Sequence, residues 1–168
     1  MNLSRRGNHE RPSSGVRTFL LAAVPPPSKE LIGSWRLVRF TRTIVATGQT
    51  FETFGKKPSG FIQFGNDGRM TMLIVKDQRP NPPDPEKMTD EERAELFRTM
   101  IAYAGTYTFD GKTLQCHLDV TWNQAWTGTD IQRHVTFEGE RLILTADAHK
   151  SYVDGNLITG IMTFEKAK

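Results

Sequence analysis

Gly60-Phe61-Ile62-Gln63-Phe64-Gly65-Asn66-Asp67-Gly68-Arg69-Met70-Thr71-Met72-Leu73-Ile74-Val75-Lys76 reads as two strands and the turn that joins them. Phe, Ile and Val suit the pleated, half-buried surface of a sheet, while Asn66-Asp67-Gly68 tolerates the backbone of a tight reversal. In the second run Met70 and Met72 alternate with Thr71 and Leu73, so apolar side chains occur on both faces. From Leu31 onward the chain repeats this unit, with further turns at Thr47-Gly48, Asp110-Gly111, Glu138-Gly139 and Asp154-Gly155. The strands expected are 32–45, 49–54, 60–65, 69–76, 105–109, 112–122, 129–138, 141–147 and 156–166. About eight or nine antiparallel strands without intervening helices would leave two raw edges, and closing the sheet removes them. The fold class expected is therefore all-β, a single up-and-down antiparallel barrel.

One segment interrupts the meander. Arg79-Pro80-Asn81-Pro82-Pro83-Asp84-Pro85 cannot be a central strand, because proline lacks the ladder donor. Thr89-Asp90-Glu91-Glu92 then has the form of a capping box. Leu96, Phe97, Met100, Ile101 and Ala104 recur as one apolar face of a helix, which the pattern carries to about Gly105. A single helix beside a barrel is expected to lid or plug its mouth.

The 168 residues fit one domain, and no apolar run approaches the roughly 20 residues of a membrane-spanning helix. The pI near 9.1 raises the question of nucleic acid. Arg5, Arg6, Arg11, Arg17 and Lys29 against Glu10 and Glu30 account for the whole formal charge of +3, so acidic and basic side chains balance from residue 31 on. A nucleic-acid face needs its basic residues clustered on the folded part, which argues against such a partner. Residues 1–28, closing with Pro25-Pro26-Pro27-Ser28, read as a mobile tail ahead of a domain at 29–168. Phe19 to Val24 is short for a secretory segment and the prolines make a poor cleavage site, so a cytoplasmic location is expected, with export as the alternative. The single Cys116 excludes an intrachain disulfide and shares alternation parity with Leu114 and Leu118, as a buried apolar residue would.

Several further stretches resemble the lipocalin-like domain family, small stand-alone calycin-type barrels of bacteria and fungi. They are Glu30-Leu31-Ile32-Gly33-Ser34-Trp35-Arg36-Leu37-Val38, with the Gly-x-Trp of calycins, then Phe54-Gly55, Pro58-Ser59-Gly60-Phe61-Ile62 and Asp67-Gly68-Arg69-Met70. Ile101-Ala102-Tyr103-Ala104-Gly105-Thr106-Tyr107, His117, Trp126-Thr127-Gly128-Thr129 and Gln132-Arg133 follow in the family's order. The resemblance spans about residues 30–166 and implies a barrel with an internal cavity. Lipocalins proper pair the first-strand Trp with an Arg near the end of the last strand. Here that strand ends Phe164-Glu165-Lys166, so Lys166 is left to place a cation over Trp35 without a flat guanidinium.

Candidate site residues follow from parity and position. Arg133 shares parity with Val135 and Phe137, which points it inward, and a guanidinium in an apolar cavity is costly unless paired or met by an anionic guest. It is the leading candidate for recognising a carboxylate. Trp122 and Trp126 bracket a bend where a rim would lie, and Trp126 suits either a pocket wall or the core. Tyr103 and Tyr107 could offer hydroxyls to the same space, and Met72 an adaptable apolar wall. His117 has the parity of a solvent-facing residue, yet the resemblance places a histidine there too. The chain lacks a Gly-x-Ser-x-Gly elbow, a phosphate-cradling glycine loop and a His-Glu-x-x-His motif, and nothing calls for a cofactor or a metal. The function expected is binding of a small hydrophobic or amphipathic molecule, with a carboxylate on it as one form. The alternative is an isomerase, cyclase or dehydratase of natural-product type that uses Tyr, His and Arg as acid, base and clamp. A third reading is an interaction module that docks a partner through the proline-rich loop.

Overall fold

Alternation of buried and exposed side chains along nine strands generates one continuous antiparallel sheet in the computed structural model, which describes residues 29–151 and 154–168. The segment 1–28, expected as a tail, lies outside the described residues. The strands are β1 (Gly33–Ile44), β2 (Thr50–Glu52), β3 (Ser59–Phe64), β4 (Arg69–Val75), β5 (Met100–Phe109), β6 (Thr113–Thr121), β7 (Asp130–Glu138), β8 (Arg141–Lys150) and β9 (Leu157–Lys166). One helix, α1 (Asp90–Arg98), lies between β4 and β5, and a single 3₁₀ turn (Gln124–Trp126) precedes β7. Strand β1 pairs with β3 on one side and β9 on the other, which closes β1 and β3 to β9 into an eight-stranded up-and-down barrel. The extra strand β2 folds back on Thr41–Thr43 of β1. Among the described residues no helix is long and apolar enough to cross a membrane.

Burial follows the period of two. Ile62 and Phe64 on β3, Met70, Met72 and Ile74 on β4, Leu114, Cys116 and Leu118 on β6, and Leu142 and Leu144 on β8 are buried and share one core. Gly60 is required by this packing. Its φ is +132°, and a Cβ there would stand 2.1 Å from the Leu73 carbonyl oxygen.

One end of the barrel is closed by aromatic rings. Trp35 donates its indole N–H to the Leu31 carbonyl at 2.8 Å and meets Phe137, which in turn meets Phe109 edge to face. Lys166 sets its ammonium 4.2 Å from the centre of the Trp35 ring and donates to the Ile32 carbonyl at 2.7 Å, so the lysine does stand over the tryptophan.

The helix is shorter than its apolar pattern suggests. It ends at Arg98, and Met100 to Ala104 open strand β5, where Met100, Ile101, Ala102 and Tyr103 pair with Val75, Ile74, Leu73 and Met72. Ile101, Tyr103, Tyr107 and Phe109 alternate as buried residues, so the period of two wins over a helical pattern that Met100, Ile101 and Ala104 satisfied by coincidence. The expected start is as read: Thr89 accepts from the Glu92 amide and the Glu92 carboxylate accepts from the Thr89 amide. The other expected strands agree to within a few residues, with β8 running on to Lys150.

Candidate functional site

The end of the barrel opposite Trp35 encloses a cavity. It leaves about 60 Å³ in which the centre of a water molecule can lie. Its walls are mainly apolar, from Phe40, Met72, Ile101, Trp126, Ile158 and Met162, with Arg42, Thr53, Tyr103, Arg133, His149 and Ser151 as the polar members.

Strand β1 contributes to this cavity through an irregularity. Its register against β9 shifts between Leu37 and Arg39, which places Val38 in a β-bulge. Trp35 and Leu37 face the core ahead of the bulge, whereas beyond it Phe40, Arg42 and Ile44 pair with the inward Met162, Gly160 and Ile158. The shift of parity turns Arg42 toward the interior. There it binds Asp154 at 3.1 Å and Ser151 Oγ at 3.3 Å.

Arg133 reaches the same space from β7. Its Nη1 donates to the Gln132 carbonyl at 2.6 Å, but its Nε is buried without a hydrogen-bond partner. Thr53 Oγ1 is the other such atom, and these two are the complete set of buried, unpartnered side-chain polar atoms among the described residues. Both residues line this cavity. Tyr103 is buried beside it, and burial raises its hydroxyl well above the ordinary phenol value despite an opposing pull from the Arg133 charge. It is a donor, and stays protonated. Cys116, inside the core, is pushed up to about 12 by burial and remains a thiol.

The wall beside Arg133 is split. Pairing of β7 with β8 ends at His134 and Thr145, although β7 stays paired with β6 as far as Asp130. Trp126, Arg133 and His149 fill the gap and face both the cavity and an outer groove. His134 Nε2 and Asp147 Oδ1, 2.9 Å apart, bridge the two strands at the point where they part.

Of the residues singled out in the sequence, Arg133, Trp126, Tyr103 and Met72 meet at the cavity, and three lie elsewhere. Tyr107 donates its hydroxyl to the Gly65 carbonyl at 2.9 Å and stands edge-on to Phe64, anchoring the β3–β4 turn. His117 lies on the outer face, its side chain 49% exposed, with Nδ1 2.8 Å from Asp130 Oδ1. Trp122 stands behind Trp126, between it and Phe97 of α1. Sequence reading missed Arg42, Thr53, Ser151 and His149; the bulge at Val38 hides the first, and nothing in the alternation marks Thr53. Among the described residues there is no cluster of three metal-binding side chains.

Residues 32–167 match the family model described as lipocalin-like domain. A lipocalin-like protein from Bacteroides uniformis is 16% identical, with a TM-score of 0.43 over 82% of this chain and 99% of that one. An uncharacterized protein from Bacteroides eggerthii is 13% identical, with a TM-score of 0.37 over the same shares. No curated protein matches the chain. The family match covers most of the chain and the whole barrel, and on that ground the chain belongs to the lipocalin-like domain family.

Proposed function

We propose that the barrel binds a compact apolar or amphipathic molecule bearing a carboxylate, with the carboxylate against Arg133. The observation that carries this reading is the buried Arg133 Nε, a donor with no acceptor on the wall of an apolar cavity. A buried donor left unmade costs about 1–3 kcal/mol, more when its group is charged. A carboxylate supplies the acceptor and the countercharge together. Arg42 is already engaged by Asp154 and Ser151, so Arg133 is the cation left for a guest. Phe40, Ile101, Trp126 and the adaptable Met72 and Met162 suit the apolar body.

The test is calorimetric titration with short straight-chain carboxylates, together with native mass spectrometry of the purified protein for a retained guest. Arg133→Leu is expected to weaken the carboxylate by about 1.5–3 kcal/mol, the range for a charged hydrogen bond. Equal binding by wild type and variant, or binding of uncharged alcohols as tightly as acids, would contradict the proposal.

A further inference from the structure

We infer that the guest is two-ended, a short carboxylate that also carries a hydroxyl or carbonyl oxygen, and that Thr53 is the residue selecting that second oxygen. The inference rests on the proposed function and adds to it the chemical class of the ligand. Thr53 follows β2, where its amide donates to the Phe40 carbonyl at 2.8 Å and so extends the pairing with β1 by one residue. That bond fixes its backbone. Phe54 next to it is buried edge-on against Phe40, with ring centres 5.4 Å apart, which holds the segment against the barrel. Thr53 is thereby held on the cavity wall, with its hydroxyl buried and without a partner.

Its position relative to Arg133 gives the two-ended character. Thr53 is tied to β1, and Arg133 is on β7, with β9 and β8 between them in the barrel wall. The two unpartnered polar atoms therefore belong to residues on different walls of one space, and the strands between them contribute Ala146, Ile158, Gly160 and Met162 alongside His149. An Nε–H requires an acceptor, whereas a threonine hydroxyl either donates or accepts. A plain alkyl carboxylate would satisfy the first and leave the second facing methylene groups. A hydroxy- or oxo-carboxylate satisfies both. The small volume favours a compact chain of this kind over a long acyl tail.

The experiment titrates matched short carboxylates, each straight-chain acid against its ω-hydroxy and oxo counterparts, into wild type, Thr53→Val, Thr53→Ser and Arg133→Leu. Wild type should bind the best hydroxy or oxo acid about fivefold or more tightly than the plain acid, the worth of one neutral hydrogen bond. Thr53→Val, which conserves shape, should erase that preference, so that the hydroxy or oxo acid binds no more tightly than the plain acid. Thr53→Ser should restore it. Equal affinity for plain and oxygenated acids in wild type, or a preference that survives in Thr53→Val, overturns the two-ended guest while leaving carboxylate binding at Arg133 intact. Failure of every acid to bind wild type removes the proposed function, and this inference with it.

Discussion

Trp122 stands edge-on to Trp126, ring centres 4.9 Å apart, and so couples the cavity wall to the helix. On its other side Trp122 meets Phe97 of α1 at 6.3 Å. No residue of α1 is buried, and its C-terminal end is held from below by Arg79, which donates to the Leu96 carbonyl at 2.8 Å and to Thr99 Oγ1 at 3.1 Å. The helix therefore does not line the cavity. It leans on Trp122, which backs the cavity-lining Trp126.

Phe97→Ala should release that contact with little effect on the barrel. Aromatic pairs add about 0.5–1.5 kcal/mol, so amides of residues 90–98 should exchange roughly twofold to tenfold faster, while those of β3 to β6 are unchanged. Hydrogen exchange read by mass spectrometry decides the matter. Unaltered exchange over α1 would mean that Arg79 and the capping box hold the helix without the rings.

Gly160→Ala should shrink the cavity without strain. The added Cβ would lie 3.7 Å from Phe40 Cε2 and 3.9 Å from the Ala146 Cβ, ordinary contacts. Stability is expected to hold or rise by about 0.4–1 kcal/mol, because alanine restricts the unfolded chain, while affinity for a short carboxylate falls. Thermal melts and titration of one preparation check both halves. Unchanged affinity would place the guest away from Gly160.

At the closed end, Lys166→Met should cost about 1–2 kcal/mol, from the lost cation–π contact with Trp35 and the lost bond to Ile32. Lys166→Arg should recover most of it through the planar guanidinium. Chemical denaturation measures both. Equal stability of wild type and the methionine variant would show that the ammonium is held over the ring at no net gain.

The acid limb of stability should depend on Asp110. Its carboxylate accepts from the Thr113 amide at 2.7 Å and the Lys112 amide at 2.9 Å, and these bonds hold it below the ordinary value of 3.8. A group depressed by folding contributes stability that is present above its unfolded pKa and lost as pH falls through the folded one. Asp110→Asn keeps an acceptor in the turn but does not titrate, so stability should fall less steeply below pH 3.8 than in wild type. Parallel acid limbs for the two proteins would assign the effect to other carboxylates.

Most of the fold is written in local sequence. The turn at Asn66-Asp67-Gly68, the alternation through Leu114, Cys116 and Leu118, and the inward parity of Arg133 with Val135 all needed only a period of two. The errors and omissions arise where that period breaks. The bulge at Val38 inverts β1, so Arg42 has outward parity in the sequence and an inward position in the barrel. Met100 to Ala104 fit both periods, and only pairing with β4, distant in sequence, selects the strand. Thr53 sits just past the three-residue strand β2, too short a run for its facing to be read.

Urea denaturation of wild type and Arg133→Met, each with and without a short carboxylate, tests directly whether Arg133 is kept for binding rather than for stability. Without ligand the variant should be more stable by about 1–3 kcal/mol, because an unpartnered buried donor is replaced by an apolar side chain that fills the same wall. With carboxylate, wild type alone should gain stability as the concentration rises. A variant less stable than wild type without ligand, or one that gains as much from the carboxylate, would contradict the account.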